Sequence, residues 1–268
     1  MTTSRHPPPS AADPRLAAEV PHNARIWNYW LGGTDNFPAD RAVAEAAMRA
    51  YPEIVTVARE SRKALARIVR FLAGDRGIRQ FLDIGTGLPT ADNTHTLAQR
   101  IAPASRIVYV DNDPLVLAHS DALLSSAPEG ATTYLEADIR EPEDIVAKAA
   151  GTLDFDQPVG LVLFGVLGAA STDTDEAYGI VQRLLAHLAP GSYLAINDSI
   201  HGDADGAADA GGEDAHFYTL RHLAEIARFF DGTELVEPGL VPNTFWRPEE
   251  AAPKPLPAHC GVGFRRGG

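Results

Sequence analysis

Asp83-Ile84-Gly85-Thr86-Gly87 ends a short apolar run, Phe81 to Ile84, with an acid and two glycines. Glycines at such a turn let backbone approach a ligand closely, and the free amides of a following helix receive anionic groups. A glycine turn between strand and helix is by itself common. Asp111 closes the next apolar run, where a Rossmann-type sheet places a carboxylate to accept both hydroxyls of a ribose; a plain strand-end turn also uses an acid there. Asp138 closes a third run, where a carboxylate accepts from an adenine amino group while Ile139 covers the ring; capping the helix near Glu141 is its simpler use. Three acids in this order at three consecutive strand ends point to an adenosine-bearing cofactor.

The details favour S-adenosyl-L-methionine over a nicotinamide nucleotide. A dinucleotide turn expects a third glycine, but Pro89 follows Leu88 here. Asp83 would repel a pyrophosphate, whereas beside a sulfonium amino acid it can hold the ammonium end. No Tyr-x-x-x-Lys, the proton-donating pair of short-chain reductases, occurs in the chain. A nicotinamide-dependent oxidoreductase and a non-catalytic binding protein for S-adenosylmethionine or S-adenosylhomocysteine are the alternatives.

These turns need a sheet to position them. Arg106 to Val110, Thr132 to Glu136, Val159 to Phe164 and Tyr193 to Ile196 follow the first strand as further strands. Helices are expected between them at Asn93 to Ile101, Leu115 to Leu124, Glu141 to Ala150 and Asp175 to Leu188. Strands alternating with helices call for a parallel, doubly wound α/β sheet with right-handed crossovers. Ala39 to Ala73 has helical periodicity broken at Pro52. After a Gly/Ala/Asp loop, His201 to Asp214, a helix is expected over His216 to Phe230. Two short strands, near Glu234 to Glu237 and Gly261 to Phe264, are expected to form an antiparallel edge pair. The expected organisation is a tail over 1–20, a helical extension or lid over 21–75, and a cofactor-binding core over 76–268, the last two forming one compact domain.

The chain has 268 residues, 45% of them hydrophobic, which suffices for one large α/β domain. Its longest apolar runs are too short to cross a bilayer and its start lacks an apolar signal region, so a cytoplasmic location without membrane contact is expected. A single cysteine, Cys260, excludes an internal disulfide or a cysteine-cluster metal site. A formal charge of −13 would repel a phosphate backbone, so a small-molecule acceptor is expected rather than nucleic acid.

Asp83 to Gly87, Val110-Asp111, Ala137-Asp138 and the strand ending in Phe164-Gly165 resemble the successive motifs of class I S-adenosylmethionine-dependent methyltransferases. A closer resemblance covers nearly the whole chain. Pro21 to Phe37, with Arg25, Tyr29, Gly32-Gly33 and Asp35-Asn36, together with Phe81 to Thr90 and Asn93-Thr94-His95, is similar to a bacterial S-adenosyl methyltransferase family of undefined substrate. The resemblance implies a mostly parallel seven-stranded sheet with helices on both faces and Gly85, Gly87, Asp111 and Asp138 around the cofactor. Asp83, Thr86, Asn112, Ile139, Phe164 and Gly165 complete the expected cofactor set. Relatives tend to have a histidine after Leu167 and Ser-His at the end of strand five; this chain has Gly168 and Asn197-Asp198.

Methyl transfer from a sulfonium is an in-line displacement that rests on alignment in a dry pocket, with a general base optional. Candidate bases are Asp198 and His201 after strand five and His95 at the first helix. No metal is expected, although Asp173, Asp175, Asp198 and Asp203 are acids near strands four and five. So short an aromatic helix as that within Pro21 to Phe37 must dock, either as a cap on the hydrophobic core or as a lid over the cofactor, and the hydrogen-bonding groups of Arg25, Tyr29, Asp35 and Asn36 favour the lid. Arg25 is assigned to the cofactor carboxylate, and Tyr29 and Asn36 to the methyl or acceptor.

Overall fold

A computed structural model describes residues 18–90, 92–117, 126–200, 218–249 and 253–267. Five parallel strands form the centre: β1 (Gln80–Ile84), β2 (Arg106–Asp111), β3 (Ala131–Glu136), β4 (Gly160–Phe164) and β5 (Tyr193–Ser199). β6 (Glu234–Leu235), β7 (Val241–Pro242) and β8 (Ala258–Phe264) complete the sheet. Seven strands run in the order β3-β2-β1-β4-β5-β8-β6, and β7 pairs with β8. The expected edge pair exists, with Glu234 opposite Phe264 and Leu235 opposite Gly263. β8 starts earlier than expected, however, and lies antiparallel to β5 along its whole length, from Tyr193–Phe264 to Ser199–Ala258. β7 was not foreseen, since two residues ending in a proline carry no strand period.

The central strands are buried on both faces, and their alternation assigns each face. Leu82, Ile84, Val108, Val110, Leu161, Leu163, Leu194 and Ile196 point into one core, covered by α5 (Pro142–Ala149), α7 (Thr174–Ala186) and α8 (Leu223–Arg228). Phe81, Ile107, Tyr109, Val162, Tyr193 and Ala195 point into the other, covered by α3 (Ile54–Arg70) and α4 (Thr94–Ile101). The stretch from 39 to 73 divides near Pro52 into α2 (Pro38–Ala50) and α3, and α3 continues into a π turn, Phe71–Asp75. α3 supplies Leu65, Ile68, Val69 and Leu72 to the second core, so it is a layer of the fold as well as part of the extension. α1 (Asn23–Trp30) precedes them, and a short α6 (Leu167–Ala170) follows β4.

The helix expected over His216 to Phe230 is corrected to α8 alone. Residues 218–222 are not helical, and Ile200 bridges Arg221 in parallel. Arg221 is 1% exposed, and its buried guanidinium must reach Asp198 and the Ser171 carbonyl, which holds the chain against the sheet. Of the helix expected over Leu115 to Leu124, residues 114–117 are helical and the rest, like the 201–214 loop, lies outside the described residues. Among the described residues no helix is long and apolar enough to cross a membrane.

β1 and β4 are adjacent, and the chain leaves them toward opposite sides of the sheet. Such a reversal opens a crevice beyond the carboxyl ends of the strands.

Candidate functional site

A cavity of about 350 Å³ lies over this reversal, lined by the ends of β1, β2 and β4, by α3, and by the segment from Pro21 to Leu31. Gly85 and Gly87 both have left-handed backbone, with φ of 73° and 64°. They need glycine for different reasons. A Cβ on Gly85 would run into the Val166 side chain, whereas one on Gly87 meets no atom within 4 Å and would project into open space. Gly85 N–H donates to the Val110 carbonyl (2.8 Å) and Gly87 N–H to Asp111 Oδ2 (2.8 Å), so both turn glycines are tied to β2. Asp111 Oδ1 accepts from Asp113 N–H at 3.0 Å. Burial raises the Asp111 carboxyl above the usual carboxylate range despite these two N–H donors.

Asp83 is 4% exposed and accepts from Thr94 Oγ1 at 2.7 Å. Burial pushes it up to about 6; the Thr94 bond and the charge of Arg62 pull the other way. Arg62, on α3, lines the same cavity and donates to Thr90 Oγ1 (2.7 Å) and the Asp92 carbonyl (3.2 Å). Burial lowers its guanidinium, with Asp83 the largest opposing influence. An anion and a cation thus face one cavity wall, a pairing suited to an amino-acid zwitterion. Asn112, Asp138, Ile139 and Thr86 also line the cavity, as do Phe164 and Gly165. Asp138 is gripped by Arg140, whose Nε lies 3.0 Å from Oδ1, and this pairing holds its carboxyl below the usual range.

The Pro21 to Leu31 segment does wall the cavity, but through residues other than those expected. His22, Trp27, Asn28 and Leu31 line it; Arg25, Tyr29 and Asn36 do not. Arg25 is 1% exposed, donates to the Val20 carbonyl (2.8 Å), and lies 3.5 Å from Asp40 and 3.7 Å from Asp113. Tyr29 turns outward to Glu45 (3.1 Å). Asn36 donates to Asn28 Oδ1 at 2.9 Å, so it acts behind the wall by fixing Asn28. His22 Nδ1 meets Asp113 Oδ2 at 3.0 Å. Burial works against protonation of His22, but the bond to Asp113 and the charges of Asp113 and Asp111 outweigh it and raise its pKa.

Of the three candidate bases, the two that lie among the described residues, His95 and Asp198, do not line the cavity. His95 is buried against the Tyr109 hydroxyl, 3.0 Å from Nδ1, and burial lowers its pKa. Asp198 follows Asn197 on β5, so alternation sends it to the opposite face. Asn197 lines the cavity and donates to the His259 carbonyl at 3.1 Å. Asp198 is 0% exposed, accepts from the Tyr218 hydroxyl and lies 3.3 Å from Arg221 Nη1. Burial pushes it up to about 6. A Cβ on Gly168 would collide with the Tyr218 ring, so two positions at which the chain departs from its resembled family, Gly168 and Asp198, meet through Tyr218. His201 and Asp203 lie outside the described residues. Asp173 caps α7 through Asp175 N–H (2.8 Å) and Asp175 pairs with Arg228 (3.0 Å), so these acids serve separate structural ends.

Sequence reading missed Arg62, Trp27 and Asn28 as site residues. Nothing local separates Arg62 from Arg59 and Lys63 beside it; only the packing of α3 against the β1 turn selects it.

A parallel core in this order, an antiparallel β8 beside β5, and a cleft of this composition over β1 and β4 define the architecture of class I S-adenosylmethionine-dependent methyltransferases. The chain belongs to the S-adenosyl methyltransferase family, whose model matches residues 9–265. It is similar to the crystal structure of a DUF574 family protein from Streptomyces avermitilis MA-4680, with 40% identity and a TM-score of 0.88 over 93% of this chain and 99% of that one. A protein from Thermobifida fusca YX, provisionally described as a methyltransferase, is 38% identical with a TM-score of 0.86 over 97% of this chain and 100% of that one. An O-methyltransferase family protein from Burkholderia thailandensis, at 13% identity, shares the fold alone, with a TM-score of 0.53 over 96% of this chain and 68% of that one. Comparison with curated proteins gave no match.

Proposed function

We propose that the cleft holds S-adenosylmethionine with its amino-acid end between Asp83 and Arg62, its ribose at Asp111 and its adenine beside Ile139 and Asp138, for methyl transfer to a small-molecule acceptor. The observation that carries this reading is that Asp83 and Arg62, of opposite charge, line the same cavity as Asp111 and the open space above Gly87. A diphosphate would meet the Asp83 carboxylate there, which argues against a nicotinamide nucleotide.

The cofactor supplies an electrophilic methyl group on a sulfonium. This chain's part is positioning and exclusion of water. Asp83 accepts from an ammonium, Arg62 donates to a carboxylate, and the Asp111 oxygens retain lone pairs beyond those used by Gly87 and Asp113 for two ribose hydroxyls. Trp27, Leu31 and Phe164 form apolar walls that keep the reacting centre dry. Asn197 and Asn28 offer amides to orient an acceptor. With His95 and Asp198 turned away, an acceptor that brings its own nucleophile suits these walls best, and His22, held by Asp113, is the imidazole nearest to a proton-accepting role.

Arg62→Gln should weaken S-adenosylhomocysteine binding about tenfold, the scale of one charge-assisted hydrogen bond, and leave methylthioadenosine, which lacks the amino-acid end, unaffected. Isothermal calorimetry with both ligands makes the comparison. Equal loss for both, or no loss for either, would remove Arg62 from the amino-acid end; tighter binding of NAD than of S-adenosylhomocysteine by the parent would overturn the cofactor assignment.

A further inference from the structure

A second cavity, of about 420 Å³, adjoins the cofactor cleft and shares Leu31, Arg62 and Thr90 with it. One wall is a cationic face of α3. Arg59, Lys63 and Arg67 follow one another at four-residue steps, and Arg70 lies one turn further. The walls bring five cationic side chains together against three carboxylates, Glu60, Asp92 and Glu249, in a chain whose formal charge is −13. A solvated helix face would need no cavity; this face is concave, and low-dielectric walls focus its potential.

The cations differ in how far they are already engaged. Arg67 donates to the Asn243 and Trp246 carbonyls (2.6 and 2.8 Å) and serves the fold. Lys63 meets Glu60 at 2.7 Å, besides a further interaction, and Arg70 meets Glu249 at 3.0 Å; both pairs are exposed, so a stronger anion can displace them. Arg59 has no ion-pair partner among the described residues. Arg59 and Lys63 stand one turn apart on the side of α3 that also presents Arg62 to the cleft, a spacing that suits the oxygens of a phosphate or carboxylate.

We propose that this second cavity is an anion-binding site for the acidic group, phosphate or carboxylate, of the methyl acceptor. The shared wall at Leu31, Arg62 and Thr90 lets a molecule anchored at Arg59 and Lys63 extend its nucleophilic end into the cofactor cleft. The site rests on the cofactor reading only for its identity as an acceptor site; the cationic cavity stands apart from it. An anionic acceptor also accounts for the cations clustering here while the chain as a whole is strongly acidic.

The full chain, saturated with S-adenosylhomocysteine, would be titrated by calorimetry with inorganic pyrophosphate and separately with citrate, for the parent and for an Arg59→Gln, Lys63→Gln double variant. Both substitutions are at exposed positions, and melting checks that the variant is folded. The expected result is binding of at least one anion by the cofactor-loaded parent, a loss of about tenfold or more in the variant, and S-adenosylhomocysteine affinity unchanged within about twofold. Pyrophosphate alone would specify a phosphate-bearing acceptor and citrate alone a carboxylate-bearing one. The proposal is overturned if neither anion binds, if the variant binds as tightly as the parent, or if anion and S-adenosylhomocysteine exclude each other. Failure of S-adenosylhomocysteine to bind, with anion binding still sensitive to the double variant, would remove the cofactor reading and the acceptor role while leaving the anion site.

Discussion

The Gly87 backbone N–H donates to Asp111 Oδ2 at 2.8 Å, so the acid at the end of β2 holds the glycine turn that follows β1. With Asp113 N–H on its other oxygen, Asp111 organises both loops at this end of the cleft. Asp111→Ala should therefore lower S-adenosylhomocysteine affinity by roughly 1.5–3 kcal/mol and also lower the melting temperature, because two buried N–H groups lose their acceptor. Asp111→Asn should behave similarly, since its amide NH2 must oppose one of the two donors. Calorimetry on the folded variants checks this, and unchanged affinity would remove Asp111 from the ribose site.

The two turn glycines should separate stability from binding. Gly87→Val introduces left-handed strain costing about 1–3 kcal/mol, with its side chain in the cleft, so the main loss should be cofactor affinity. Gly85→Ala adds a collision with Val166 to similar strain and should melt at a lower temperature than Gly87→Ala. Melting curves and S-adenosylhomocysteine titration read the two effects; identical melting of the two alanine variants would contradict the packing difference.

Asp83 gives the cleft a pH dependence. Its carboxyl is pushed up to about 6 by burial, so from the unfolded carboxylate value near 4 up to about 6 the folded chain holds the extra proton. The stability contributed by this group is thus present at low pH and is lost as pH rises through that window, and Asp198, also pushed to about 6, acts in the same direction. Cofactor binding should move the opposite way, because an ammonium needs the ionised Asp83. S-adenosylhomocysteine affinity should rise as pH increases through about 6 in the parent and rise less in Asp83→Asn, where the raised Asp111 is the remaining carboxyl of the cleft. Calorimetry across this range decides; equal slopes for parent and variant would show that Asp83 does not meet the ammonium.

The sheet and its acids were legible because both signals are local. Apolar runs ending in Asp83, Asp111 and Asp138 mark strand ends, and a parallel sheet brings consecutive strand ends to one edge. The direction of β5 side chains was not, since Asn197 and Asp198 are both polar and only the register of β5 against β4 and β8 sends the first to the cleft and the second away. Tyr218 to His222 directly precedes the helical stretch and reads as its start, but the burial of Arg221 against Asp198 holds it out of the helix. Gly168 reads as an ordinary small residue until Tyr218 is seen over it. Arg62 was invisible for the same reason: its partners Thr90 and Asp92 lie across a tertiary contact.

The first helix offers the sharpest division between a wall and its support. Arg25 is buried beside Asp40 and Asp113, and Asp40 also accepts from the backbone N–H groups of His22 (2.9 Å) and Phe37 (2.7 Å). Removing the guanidinium leaves two buried carboxylates short of a counter-charge, a loss on the order of 3–5 kcal/mol. Trp27 instead faces the cavity, and its ring lies 3.5 Å from where a Cβ on Gly165 would stand. Arg25→Ala should lower the melting temperature by roughly 10 °C, while the protein that remains folded binds S-adenosylhomocysteine nearly as the parent does. Trp27→Ala should do the reverse, melting closer to the parent but binding about tenfold more weakly, because an aromatic wall is replaced by water. Each variant is measured by melting and by cofactor titration below its melting temperature. Weakened binding by Arg25→Ala at parent stability would mean that Arg25 reaches the cofactor directly, and parent-like binding by Trp27→Ala would mean that the first helix only caps the core.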